Sequence, residues 1–349
     1  MHAIPTPDPD TANDVFDGGT LYCPICGESF SPLCDRCPDD ECPVVGRPLT
    51  GDPFIGRLLD RRFRVVQLLA QGAMGTVYEG VQLPIKRPVA IKVIRDELGN
   101  DDRTAQRFLR EAHLLTRIAH PNIVDVLDFG ETPDGHLYLV MDRLRGKTLD
   151  VALAEIGRFS VRRTCEIGLQ LCNALVAAHA HGVVHRDLKP ANIYLLAELG
   201  DWVKVLDFGL AKTITADPAS EITVTGAVLG TPLYMAPETI TDNTADPRSD
   251  LYALGCILHE MLNGAPAFYG ESTALVLARH LDDPPPALPI MVPPTLRQLI
   301  YALLAKEPDQ RPANALTVCA VLEHCLAAEL VEDMPTLIQP ALPDLDEKS

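Results

Sequence analysis

The stretch His185-Arg186-Asp187-Leu188-Lys189-Pro190-Ala191-Asn192 decides the reading of this chain, because no packing rule explains that octet. Working outward, Asp207-Phe208-Gly209 begins 15 residues after Asn192, behind the apolar-alternating run Val203-Lys204-Val205-Leu206. Ala236-Pro237-Glu238 begins 29 residues after Asp207. Upstream, Val89-Ala90-Ile91-Lys92 places a lysine on a β-branched run, and Gly72-x-x-Gly75-x-Val77 forms a glycine-rich turn between two strand-like runs. Such a turn lets backbone N–H groups approach a phosphate closely. Taken singly, the turn also reads as a plain hairpin and Lys92 as a snorkelling lysine. The ordered set does not reduce to such readings.

Strand patterns cover 63–69, 76–81, 89–94, 123–129 and 137–141, and a helical pattern with Phe108, Ala112, Leu115 and Ile118 covers 103–118. Beyond 150 the expected elements are mainly helices, at 160–181, 249–263, 295–305 and 313–326. The fold class is therefore α+β, a β-rich lobe followed by a helical lobe.

On these motifs, residues 57–326 resemble a eukaryotic-like (Hanks-type) serine/threonine protein kinase of bacteria. The resemblance implies a two-lobed fold with ATP between the lobes and transfer of its γ-phosphate to protein Ser/Thr hydroxyls. Asp187 would accept or orient the proton of the attacking hydroxyl. Asn192 and Asp207 are hard oxygen donors for Mg²⁺ or Mn²⁺. Lys92, positioned by Glu111, would hold the α/β-phosphates, and Lys189 would steady the transferred group. Met141 is the expected gatekeeper, with Asp142 and Leu144 presenting backbone to adenine. Leu68, Val77 and Ala90 would wall its pocket above Gly72 and Gly75. Arg143 is expected to face solvent. Thr231 matches the threonine that helps select Ser/Thr substrates. Glu238 is expected to pair with Arg311, and Asp250 to brace the catalytic loop. Arg186 marks the class switched by activation-loop phosphorylation, and Thr223 and Thr225 are the expected autophosphorylation sites. Two departures stand out: Ala70 replaces the first glycine of the phosphate loop, and Tyr194 stands where leucine is usual.

The formal net charge of -18 excludes other classes. Residues 1–50 hold nine acidic and two basic residues, and 327–349 hold six and one, so the middle of the chain is nearly balanced. An acidic chain is poorly suited to sequence-independent nucleic-acid binding. At 47% hydrophobic it has a core, and no run of about 18 apolar residues suggests a membrane span. No signal-peptide pattern opens the chain, so the expected location is the cytoplasm.

Of ten cysteines, five fall between Cys23 and Cys42, including Cys23-Pro-Ile-Cys26-Gly27 and Cys34-Asp-Arg-Cys37. Paired CxxC knuckles suit tetrahedral structural zinc, with free or redox-active thiols and a rubredoxin-like iron site as alternatives. The segment resembles the zinc ribbons fused to bacterial signalling proteins. The other five cysteines read as small core residues. The expected organisation is a disordered lead (1–20), zinc ribbon (21–45), linker (46–56), kinase domain (57–326) and acidic disordered tail (327–349). Expected partners are protein substrates, a protein at the zinc module and a second copy on activation, with neither nucleic acid nor membrane. The competing functions are an ATP-binding scaffold, a small-molecule phosphotransferase and a zinc-ribbon nucleic-acid binder. The intact Lys92, Asp187, Asn192 and Asp207 disfavour the first, the long segment closing in Ala-Pro-Glu the second, and the acidity around the cysteines the third.

Overall fold

A computed structural model describes residues 21–23, 29–30, 36, 51–72, 75–95, 102–208, 232–242 and 244–332. The chain divides into two units, residues 1–95 with 130–143, and 96–129 with 144–349.

The first unit is built on β-structure. A short hairpin pairs β1 (Leu21–Tyr22) with β2 (Ser29–Phe30). The main sheet runs in the order β3 (Leu58–Leu59), β4 (Phe63–Gly72), β5 (Gly75–Gln82), β6 (Arg87–Ile94), β8 (Leu137–Asp142), with β7 (Val126–Glu131) at its edge. β6 is central and is buried from Val89 to Ile94, which explains its nearly continuous apolar run. Gly75 is required by packing, since a Cβ there would collide with the carbonyl of Val93 on the neighbouring strand. Ala70 pairs with Val77 beside a bulge that follows Leu68. Its Cβ is exposed on an ordinary strand position, so alanine fits where the family pattern has glycine.

The second unit is mainly helical. Its centre is α5 (Pro247–Asn263), buried on nearly every side from Ser249 to Leu262, as expected for a helix apolar all round. Asp246 and Ser249 close a capping box at its start, Pro247 occupies the first turn, and Gly264 (φ 80°) ends it in the left-handed region. α3 (Val161–Ala180), capped by Ser160, packs on α5 and on α8 (Ala315–Glu332). α7 (Pro294–Leu303) packs on α5 and α8. A small sheet orders β11 (Trp202–Val205), β10 (Ile193–Leu196) and β9 (Gly146–Thr148).

Several boundaries differ from expectation. The helix expected over 103–118 is α1 (Asp102–Leu115), because Arg117 and Ile118 close turns ahead of Pro121. Ile123 belongs to no strand but bridges Val205 in parallel. The last helix runs to Glu332, beyond the boundary placed at 326. Two helices were missed, α2 (Leu149–Ile156) and α6 (Thr273–Asp282), although Thr148 and Ser272 stand at their N-caps. α4 (Pro237–Thr241) is a single short turn. No helix among the described residues is long and apolar enough to cross a membrane.

Candidate active site

Within the first unit, sheet register does the positioning. Val77, Lys92 and Leu139 form one cross-strand row, and Glu79, Ala90 and Met141 form the row two residues along. Paired residues share a face, so Val77, Ala90, Lys92 and Met141 lie on one side of the sheet. Lys92 is 9% exposed on that side. Leu68 stands opposite Tyr78 and outside these rows, at 47% exposure. Asp142 is paired with Arg87. Arg143 does not simply face solvent as expected: its Nε lies 3.7 Å from Glu79 Oε1, and its side chain is half-buried. Gly72 ends β4, and residues 73 and 74 lie outside the described residues.

Within the second unit, the octet forms a dense polar cluster. Asp187 Oδ2 accepts hydrogen bonds from Lys189 Nζ at 2.8 Å and Asn192 Nδ2 at 3.1 Å. Asn192 Nδ2 also donates to the Asp187 carbonyl at 2.8 Å. With its nitrogen so committed, Asn192 keeps its amide oxygen as a hard donor. With the Asp207 carboxylate this makes a donor set that fits a hard divalent cation. The loop is held from below. Asp250, 1% exposed on α5, accepts the backbone N–H groups of His185 (2.8 Å) and Arg186 (2.9 Å), and its Oδ2 lies 2.8 Å from His179 Nε2. This is the brace expected of Asp250. His185 Nε2 lies 2.9 Å from the Leu206 carbonyl and Nδ1 accepts from Asp187 N at 3.3 Å, so a ring protonated on Nε2 satisfies both. The Leu206 N–H in turn donates to the Asn192 carbonyl at 2.8 Å. Arg186 (φ 63°) and Asp207 (φ 53°) are both in the left-handed region, uncommon outside glycine. Backbone held there by surrounding bonds is a feature of functional sites.

Glu111 lies on α1, where Arg186 Nη1 approaches its Oε1 at 3.8 Å. Tyr194 is on β10, and its hydroxyl donates to the Gly146 carbonyl, so it ties β10 to β9. Leu144 precedes β9. Thr223, Thr225 and Thr231 lie outside the described residues, as do Cys26, Cys34 and Cys37; Cys23 is buried at the end of β1. Among the described residues no group of three or more His, Cys, Asp or Glu is placed to hold a metal.

A second polar cluster anchors Glu238. Arg311 forms two bonds of 2.8 Å to the two carboxylate oxygens, as expected, and Ser249 Oγ donates to Oε1 at 2.6 Å. Arg311 also donates to the carbonyls of Ala305, Lys306 and Arg248, and its guanidinium lies 4.9 Å from the Tyr252 ring centroid. Burial alone would raise the Glu238 carboxyl, but the bonds from Arg311 and Ser249 outweigh it and hold it below the usual range. Ser249 and His179 escaped the sequence reading, since each carries its signal only through a residue distant in sequence.

A profile described as the protein kinase domain matches residues 63–326. The chain is 39% identical over 280 residues to the serine/threonine-protein kinase pkn3 of Myxococcus xanthus, covering 78% of this chain and 51% of that one. It is 40% identical over 263 residues to PknA of Mycobacterium tuberculosis, covering 74% and 60%. It thus spans about half to three fifths of the length of these relatives. Its fold is similar to the crystal structure of the PknI kinase domain of Mycobacterium tuberculosis (a double mutant), with TM-score 0.61 and 26% identity over 78% of this chain and 98% of that one.

Proposed function

The chain belongs to the protein kinase domain family, and we propose that it transfers the γ-phosphate of ATP to serine and threonine hydroxyls of proteins. The observation that carries this reading is the Asp187 carboxylate held by Lys189 and Asn192 in a loop braced by Asp250. Asp187 takes or orients the hydroxyl proton as that oxygen attacks the γ-phosphorus and the bond to the β-phosphate oxygen breaks, leaving ADP. Lys189, already on Asp187, steadies the moving phosphoryl group. Asn192 and Asp207 hold Mg²⁺ or Mn²⁺, which when bound neutralises triphosphate charge. In the β-rich unit, Lys92 takes the α/β-phosphates, while Val77, Ala90 and Met141 supply one apolar face for adenine, with Leu68 and the backbone of Asp142 and Leu144 completing it. Glu111 positions Lys92. The test is incubation of the full chain with labelled ATP and Mg²⁺ beside Asp187→Asn, followed by phosphosite mapping. Label on Ser or Thr of the chain or of a generic protein substrate is expected; no transfer would favour the ATP-binding scaffold.

Autophosphorylation is proposed at Thr223 and Thr225, with the charged loop ordered by Arg186. Full activity of the Thr223→Ala/Thr225→Ala chain would sink that part. Structural zinc on Cys23, Cys26, Cys34 and Cys37 is proposed from the paired CxxC spacing alone. About one zinc per chain by metal analysis, lost on replacing these cysteines, is the expected result. The module is proposed to bind a protein partner, and cytoplasmic signalling, with dimerisation on activation, completes the reading.

A further inference from the structure

The face of the main sheet opposite Lys92 is pinned by a segment that phosphoryl transfer does not call for. Strand pairing puts Tyr78, Ile91 and Val140 in one cross-strand row and Val93 beside Tyr138 in the next. These residues alternate with Val77, Lys92 and Leu139, so they lie on the other side of the sheet, and all five are buried. Both tyrosine hydroxyls donate to carboxylates of the segment ahead of β4. Tyr78 donates to Asp52 Oδ1 at 3.2 Å and Tyr138 to Asp60 Oδ2 at 2.8 Å.

Asp52 Oδ1 also accepts the Phe54 N–H at 2.9 Å, which closes a local turn. The Phe54 ring is buried, with its centroid 5.8 Å from that of Tyr78 and 5.0 Å from that of His136, which it meets edge-on. Arg57 lies over the same ring and pairs with Asp134 at 3.0 Å, and His136 Nε2 lies 3.2 Å from the same carboxylate oxygen. The Gly56 N–H donates to the Val65 carbonyl and the Val65 N–H to that of Arg57, so the segment runs on into the pairing of β3 with β4.

Tyr78 belongs to β5, Tyr138 belongs to β8, and His136 immediately precedes β8. β5 and β8 do not pair with each other, because β6 lies between them. Residues 52–60 therefore tie β5 to β8 across the back of β6. These are the three strands whose other face bears Val77 on β5, Ala90 and Lys92 on β6, and Met141 on β8. Covering an apolar sheet face needs only apolar side chains; two carboxylates on two tyrosine hydroxyls also fix where the strands stand. Asp52, Phe54 and Asp60 all precede residues 63–326, which the kinase profile matches.

We propose that residues 52–60 are a strap that positions the nucleotide, holding β5, β6 and β8 in place from behind so that Val77, Ala90, Lys92 and Met141 meet ATP together. This inference rests on the reading of those four residues as part of the nucleotide site. Asp187, Lys189, Asn192 and Asp207 belong to the other unit. Loosening the strap therefore weakens ATP binding and leaves the transfer step nearly intact. Asp52, Phe54 and Asp60 are positioning residues that act through the sheet.

The test measures the affinity of the full chain for ATP with Mg²⁺ by calorimetric titration, and KM for ATP and kcat by steady-state transfer, well below Tm. Phe54→Ala should raise Kd and KM for ATP roughly tenfold and Asp52→Ala roughly threefold, with kcat changed less than about twofold. Asp52→Asn keeps an oxygen for both donors and should bind ATP as the unaltered chain does. Unchanged affinity in the two alanine variants, whatever happens to Tm, would overturn the inference, as would a fall in kcat at unchanged KM. No binding of ATP by the unaltered chain would overturn the nucleotide reading itself and this inference with it, so the two failures are told apart. Should Phe54→Ala fail to fold, Asp52→Ala, which leaves the apolar core filled, decides.

Discussion

Two polar clusters in the helical unit each depend on one buried charged side chain, and they differ in what they leave open. Asp250 holds the backbone of His185 and Arg186, and above it the loop keeps Asp187 and Lys189 only partly buried. Arg311, whose side chain is 0% exposed, spends its donors on Glu238 and on three backbone carbonyls. The first cluster carries two non-glycine residues in the left-handed region; the second carries none. Buried charge therefore serves two ends here. In one it holds uncommon backbone so that reacting groups stay presented, and in the other it saturates an anchor with nothing left over for chemistry.

Substitutions can break this contrast. Asp187→Asn should lower kcat roughly 10³-fold while leaving Tm nearly unchanged, as measured by steady-state transfer and thermal unfolding. A comparable loss of stability would erase the division between the clusters. Arg311→Met should do the opposite at the anchor. It leaves the Glu238 carboxylate buried without its partner, costing about 3–5 kcal/mol in denaturant unfolding, and Arg311→Met/Glu238→Gln should recover part of that.

Acid should probe the anchor in two steps. His280 packs on Tyr252 and Phe268, and burial together with the nearby Lys306 charge lowers it to about 4. The unfolded chain then binds the proton first, so stability falls as pH drops from about 6.5 to about 4, by roughly 3 kcal/mol. Glu238 is also lowered, so its contribution is present above its ordinary value of 4.5 and is lost only as pH falls below it. His280→Phe should flatten the first segment of the stability–pH curve and leave the second. A curve unchanged between pH 6.5 and 4 would remove His280 from the account. The smallest effect sharpens the contrast at its base: Asp250→Asn turns an amide N–H toward backbone donors and should cost about 2 kcal/mol, with kcat falling about tenfold. Stability loss with unchanged kcat would mean the brace does not position Asp187.

Much of this was legible in the sequence, for identifiable reasons. The octet at 185–192, the strand under Lys92 and the strand before Asp207 are local patterns, and Glu238 with Arg311 and Asp250 followed from the family resemblance. Elements whose apolar face is short, such as Leu149–Ile156 and Thr273–Asp282, bury too few apolar residues for a helical period to stand out from the surrounding loops. The strand expected to start at 123 failed because Ile123 alternates like a strand residue yet finds its partner, Val205, through a single parallel bridge.

By itself the sequence determined the chemistry-bearing residue types, their order and the α+β character, because catalytic loops and strand periodicity are written in contiguous residues. Only the tertiary structure decided which distant groups meet. Ser249 reaches Glu238 and His179 reaches Asp250 because helices α3, α4 and α5 pack at set registers. Register depends on interlocking side chains across the whole unit, such as Gly168 against Leu322, and no local window contains it.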